Sequence, residues 1–159
     1  MDFIWSPWRY EYLASHGDRR PACVFCIGED PSRDVERLVV FRAEHNFIIL
    51  NLFPYTSGHL MIAPYEHRNT IADAKSGQLA EMMDLAQRSV GALKKIYTPD
   101  GFNLGMNLGE AAGAGIREHF HLHVVPRWIG DANFVSVVGE TRVLPEELSK
   151  TYERVKDAL

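Results

Sequence analysis

Residues 119–125 read His119-Phe120-His121-Leu122-His123-Val124-Val125. Side chains on an extended strand alternate between faces. This order therefore sends His119, His121 and His123 to one side and Phe120, Leu122 and Val124 to the other. Imidazole is the side chain whose ordinary pKa lies near neutral pH, and it can act as nucleophile, acid, base or metal ligand. A row of imidazoles over an apolar back face suits a site for phosphate or for a metal ion. If a phosphoanhydride lies over the row, the central His121 can attack phosphorus, provided its other ring nitrogen donates to a fixed acceptor. His123 can then donate to a phosphate oxygen or to the departing phosphate. Phosphoryl and nucleotidyl transfer need positioning and charge neutralisation above all. A phosphoramidate intermediate would let a neutral protein group carry the transfer with no metal in the chemical step.

Immediately before the row lies the small-residue loop Gly109-Glu110-Ala111-Ala112-Gly113-Ala114-Gly115. It is either a flexible connector or a loop whose backbone approaches a ligand, and its place before the histidines favours the second. The amides of Gly113, Ala114, Gly115 and Ile116 could then receive phosphate oxygens.

A second chemistry is carried by Cys23-Val24-Phe25-Cys26. A C-x-x-C pair is half a zinc site or a redox pair. The redox version should open a helix after a strand, whereas here Gly28, Asp30 and Pro31 follow. Two inert thiols are the plain alternative. A tetrahedral zinc needs two further ligands. His67, in the turn Tyr65-Glu66-His67-Arg68, and His119, at the end of the row, can supply them in a closed structural site that leaves His121 free. The competing arrangement has all three histidines of the row holding a catalytic zinc.

The elements that must place these residues follow from periodicity. Residues 38–41, 47–50 and 59–63 read as short strands, the first two joined by a hairpin loop at 42–46 and the last stopped by Pro64. Residues 77–97 carry Leu79, Met82, Met83, Ala86, Val90, Leu93 and Tyr97 at helical steps, with Ser76 as N-cap and Pro99 and Gly101 as the stop. A strand at 102–107 leads into the small-residue loop, and Pro126 ends the histidine strand. Beyond it come Trp128, a Gly130–Asn133 turn, a possible edge strand at 134–138 and a helix from near Pro145 with Leu148, Tyr152, Val155 and Leu159 on one stripe. Before Cys23, residues 1–22 form an irregular arm with Trp5, Trp8, Tyr10 and Tyr12. Its aromatics should plug this chain's own core or, close behind, contact a second subunit, with a nucleobase as the further alternative. The pattern is α+β: an antiparallel sheet with helices on one face.

The 159 residues suit one domain, with the arm at 1–22 and a helical extension at 140–159. A net charge of −4 argues against a nucleic-acid surface. No stretch approaches the length of a membrane span, and no signal peptide is visible, so a cytoplasmic protein is expected. In that compartment Cys23 and Cys26 are not expected to form a structural disulfide.

The row His119–Val125 matches, without a departure, the histidine triad pattern, and the chain resembles that superfamily of nucleotide hydrolases and transferases. The resemblance extends to Asn51-Leu52-Phe53-Pro54-Tyr55 with Gly58-His59-Leu60, and to Met106-Asn107-Leu108-Gly109. The pre-triad stretch Ala112–Glu118 and Pro126-Arg127-Trp128 with Gly130–Phe134 look most like the bacterial diadenosine tetraphosphate phosphorylase branch. The resemblance implies a homodimer with sheets joined across the interface, about five strands per sheet, and His121 as the residue that becomes nucleotidylated, supported by His123 and His59. It implies Asn51 at the ribose and Asn107 at a phosphate. Ile48, Leu50 and Phe53 could wall a base pocket, although core packing claims at least two of them. In related uridylyltransferases zinc is held at positions matched here by Cys23, Cys26, His67 and His119. No organic cofactor is expected. One departure bears on the reaction: Ala114-Gly115 stands where the fragile-histidine-triad hydrolases carry a glutamine, which favours inorganic phosphate over water as acceptor. The implied substrate is a dinucleoside polyphosphate. The alternatives are hydrolysis of nucleoside phosphoramidates or other nucleotide conjugates, and a nucleotide-binding module of low activity.

Overall fold

The computed structural model describes residues 23–132 and 146–159. Its five strands are β1 (Val39–Arg42), β2 (Asn46–Leu50), β3 (Leu60–Pro64), β4 (Gly101–Gly105) and β5 (Leu122–Arg127). They form one antiparallel sheet in the order β1-β2-β3-β5-β4. The helices are α1 (Asp34–Arg37), α2 (Ser76–Tyr97) and α3 (Leu148–Ala158). This is the α+β arrangement that the sequence pattern implies.

Strand alternation divides the sheet into two unlike faces. Ile48, Leu50, Leu60, Ile62, Leu122 and Val124 point to one side and pack with Met82, Leu85, Ala86 and Leu93 of α2 and Tyr152 and Val155 of α3. Phe47, Ile49, Met61 and Ala63 point to the other, where they meet Phe25, Ile27 and Val39. Directly opposite residues of an antiparallel pair share a face. The pairing of Met61 with His123 therefore places that imidazole on the helix-free face.

Several boundaries differ from the sequence reading. Ser76 is the first residue of α2 rather than its cap, and Lys75 occupies the cap position without a side-chain bond. Within α2, Met83 is 56% exposed. The buried stripe runs through Met82, Leu85, Ala86, Ser89, Ala92 and Leu93, which leaves Met83 on its wet edge. β4 stops at Gly105, so Met106 and Asn107 lie beyond it. The histidine strand starts at Leu122, so His119 and His121 lead into it, and it runs through Pro126 to Arg127. Pairing with β3 ends at Val124. Past that point the carbonyl of Pro126 faces the loop before β3 and accepts Thr56 Oγ1 at 2.9 Å, so the missing N–H breaks no ladder bond. The C-terminal helix begins at Leu148, and Tyr152 Oη donates to the Val39 carbonyl at 3.0 Å, tying α3 to β1. The arm at 1–22, the expected strand at 134–138 and the start of the C-terminal extension lie outside the described residues. No helix among the described residues is long and apolar enough to cross a membrane.

Candidate active site

The loop between β2 and β3 delivers His59. Gly58 has φ +79°, and a Cβ there would stand 2.9 Å from Leu93 and 3.0 Å from Tyr97. Only glycine lets the loop sit this low on α2. Beside it, His59 is 1% exposed. Its Nδ1 accepts the Tyr55 backbone N–H at 3.1 Å and lies 3.3 Å from Asn51 Nδ2. With Nδ1 accepting, the proton of a neutral ring sits on Nε2, which lies 2.9 Å from His123 Nδ1. His123 must then accept at Nδ1 and carry its own proton on Nε2. The Tyr55 ring covers this pair, with its centroid 4.6 Å from His59 and 6.1 Å from His123.

His121 takes the opposite tautomer. Its Nδ1 donates to the His119 carbonyl at 3.0 Å, leaving the Nε2 lone pair unused. The His121 and His123 ring centroids are 4.7 Å apart and nearly perpendicular. One ring thus presents a lone pair beside another that presents an N–H. Burial pushes His121 below the ordinary imidazole range, against the pull of its bond to His119. Burial, with a smaller effect from His121, pushes His123 down to about 4. Both rings are neutral at neutral pH.

His119 is turned to another task. Its Nε2 donates to the Pro64 carbonyl at 2.8 Å. Its Nδ1 lies 3.4 Å from Cys23 Sγ and 3.9 Å from Cys26 Sγ, while His67 Nδ1 is 3.3 Å from Cys26 Sγ. Donor atoms of Cys23, Cys26, His67 and His119 all fall within 4.8 Å of one another. A tetrahedral ion with Zn–S and Zn–N bonds of about 2.3 and 2.0 Å has S···N edges of roughly 3.5 Å. The four residues therefore fit a closed metal site, and among the described residues no other histidine or cysteine grouping does. The three-histidine metal site considered from the sequence is not formed among the described residues, because His119 turns its free ring nitrogen to the cysteines and away from His121 and His123. Partial burial and the neighbouring Cys23 raise the Cys26 thiol, and a coordinated cation would reverse that. The segment after the cysteines is anchored by Arg37 donating to the Ile27 carbonyl and by Arg42, which reaches the Gly28 carbonyl at 2.8 Å and pairs with Asp34.

The remaining sequence candidates are placed unevenly. Ile48 and Leu50 are 0% and 2% exposed in the core under the helices, so the structure removes Ile48 from any ligand face. Phe53 is 47% exposed. Asn51 accepts the Phe53 N–H at its oxygen, at 3.0 Å, and its amide nitrogen lies 3.3 Å from His59 Nδ1. Gly105, the last residue of β4, lies opposite His123, and Asn107 follows two residues beyond the strand. In the pre-triad loop a 3₁₀ turn at Glu110–Ala112 consumes two amides. Gly113 N–H bonds the Glu110 carbonyl at 2.9 Å and Ala114 N–H the Gly109 carbonyl at 3.4 Å. Among the described residues the amides of Gly115 and Ile116 form no backbone bond. The sequence reading missed Phe25 as a neighbour of His121, at a centroid distance of 4.5 Å; its place between the cysteines was the available signal.

A family model, the HIT domain, matches residues 32–128. An AP-4-A phosphorylase of Mycobacterium tuberculosis is 41% identical over 156 residues, covering 93% of this chain and 79% of the relative. A zinc-bound histidine triad family protein from Mycobacterium smegmatis superposes with TM-score 0.66 at 26% identity, covering 86% of this chain and 92% of the other. A uridylyltransferase shares the fold alone, with TM-score 0.65 at 18% identity over 96% of this chain and 48% of its own. With this likeness spanning most of its length, and with the triad's imidazoles assembled as described, the chain belongs to the HIT family.

Proposed function

We propose that this protein is an enzyme that cleaves dinucleoside polyphosphates of the diadenosine tetraphosphate kind. The observation that carries the reading is the pair of opposed tautomers, His121 with a bare Nε2 and His123 with a protonated one. In this reading His121 Nε2 attacks the α-phosphorus, an N–P bond forms, and the bond from that phosphorus to its bridging oxygen breaks. Nucleoside triphosphate leaves, and His123 Nε2–H bonds the departing oxygen. Inorganic phosphate then attacks the nucleotidyl-His121 from the side just vacated, giving nucleoside diphosphate and restoring the imidazole. The Gly115 and Ile116 amides take the non-bridging oxygens, Asn107 supplies a further polar contact, and Phe53 offers a ring for the base. The likeness to AP-4-A phosphorylase at 41% identity supports this assignment. The small pre-triad loop favours phosphate as acceptor.

The test is incubation with diadenosine tetraphosphate, with and without inorganic phosphate, and identification of the products. ADP plus ATP only with phosphate supports phosphorolysis. AMP plus ATP without it makes the protein a hydrolase. No turnover in either condition overturns the reading and turns attention to nucleoside phosphoramidates.

We further infer that the group at Cys23, Cys26, His67 and His119 holds zinc in a structural role. Two thiolates and two imidazoles suit that ion, and the zinc-bound neighbour from M. smegmatis supports it. In the same reading the protein is one domain that pairs as a homodimer through the β4 edge, where Leu104 is 43% exposed.

A further inference from the structure

We propose that Phe25 is a positioning residue for His121, and that it couples the cysteine pair to the nucleophile. The inference rests on the proposed role of His121. The side chain sits in the turn closed by the Cys26 N–H to Cys23 carbonyl bond, 3.0 Å long. That turn sends the thiols of Cys23 and Cys26 to the metal group and the intervening ring to the His121 imidazole. The two ring centroids are 4.5 Å apart with planes 37° apart, an offset contact of the kind aromatic rings favour. A second contact, 5.4 Å and 59°, touches His119. Phe25 is 0% exposed and is backed by Ile27, Phe47, Ile49 and Met61, so it has no space to retreat.

Apart from its edge contact with His123, His121 makes one hydrogen bond among the described residues. A single Nδ1–H to carbonyl bond holds the tautomer only while the ring stays within reach of that carbonyl, and a ring free to swing breaks the bond and exchanges its proton between the two nitrogens. A flat neighbour removes that freedom and keeps Nε2 aimed beside His123. Both restraints run through the metal group: the carbonyl belongs to its ligand His119, and the ring stands between its ligands Cys23 and Cys26. Loss of the metal should therefore loosen the nucleophile from two sides while leaving the His59–His123 pair, which is held by Tyr55 and Asn51, in place.

The experiment compares full-length wild type, Phe25→Leu and, as a control in the same turn, Val24→Ala, each loaded with zinc. Val24 is 52% exposed. Side-chain ¹H–¹⁵N spectra, assigned with His121→Asn, report the His121 tautomer without any substrate. Wild type and Val24→Ala should show a protonated Nδ1 and a bare Nε2. Phe25→Leu should keep its zinc and its cooperative melting but show averaged nitrogen shifts, with kcat lower on the order of 10- to 100-fold and KM within about threefold. A zinc-loaded Phe25→Leu with the wild-type nitrogen pattern overturns the proposal, whatever its activity. If Phe25→Leu does not fold, wild type alone decides: His121 ring protons shifted upfield by the Phe25 ring support the contact, and unshifted ones overturn it. Failure of the functional reading is distinguishable, since it shows as absent turnover in wild type while the nitrogen pattern still judges Phe25.

Discussion

The backbone oxygen of His119 accepts the Nδ1–H of His121 at 3.0 Å, and the His119 ring faces two cysteines. In the proposed mechanism, alternate members of the histidine row divide the labour, one supporting and one reacting. Replacing His121 with Asn removes the attacking lone pair and leaves the surrounding shell. Turnover of diadenosine tetraphosphate should fall on the order of 10⁴-fold or more, while nucleotide affinity stays within a few-fold. Single-turnover kinetics with equilibrium binding would check this, and substantial residual turnover would sink the covalent route.

His59 sets the proton position on His123 through the 2.9 Å contact between Nε2 and Nδ1. In His59→Ala the His123 ring loses the donor to its Nδ1 and can flip to the wrong tautomer. We expect kcat to drop on the order of 10- to 100-fold with little change in KM. Gln offers an N–H near the same place, so His59→Gln should recover part of the loss. Equal kcat for Ala and Gln would argue against a tautomer-setting role.

Removing a ligand tests the metal group. Cys23→Ser and His67→Ala should each lower bound zinc measured by elemental analysis and reduce the melting temperature. A chelator should reproduce the melting change in wild type. Full zinc content in either variant would mean that the ion is held elsewhere.

Gly58 is constrained twice, by its positive φ and by the side chains of Leu93 and Tyr97 beneath it. An alanine there adds left-handed strain of roughly 1–2 kcal/mol and overpacking of about 1–3 kcal/mol. Gly58→Ala should therefore lose stability by denaturant titration and, since His59 follows directly, lose activity beyond what the unfolded fraction explains. Wild-type stability in that variant would show that the loop can lift without cost.

Much of this arrangement was legible in the chain. Alternation at Phe120, Leu122 and Val124 gave the core-facing side of the strand, and the C-x-x-C spacing gave half of the metal group. What periodicity could not show was which imidazole nitrogen each neighbour would claim. That depends on backbone groups such as the carbonyls of Pro64 and His119 and the amide of Tyr55, which carry no residue-type signal. Nor could periodicity show that a small-residue loop folds into a 3₁₀ turn that uses its own donors, as Gly113 and Ala114 do. Met83 was misplaced because it shares helical spacing with the stripe while lying at its edge.

Glu81 joins the first hairpin to α2. Its carboxylate accepts the backbone N–H groups of Glu44 at 3.0 Å and His45 at 2.9 Å, and Asn46 Nδ2 at 2.7 Å. Burial raises its pKa, but the hydrogen bonds from Asn46, His45 and Glu44 outweigh that and hold it below the ordinary glutamate value. A carboxyl whose folded pKa is depressed contributes stability that is present above its unfolded pKa, near 4.3, and is lost as pH falls through the folded value. Glu81→Gln should therefore cost about 1–3 kcal/mol at neutral pH, the range for leaving such donors poorly satisfied. The gap to wild type should narrow as the pH drops below about 4, where the wild-type carboxyl also protonates. Urea titrations of both proteins across that range would check this, and a gap independent of pH would show that Glu81 acts through packing and not through its charge.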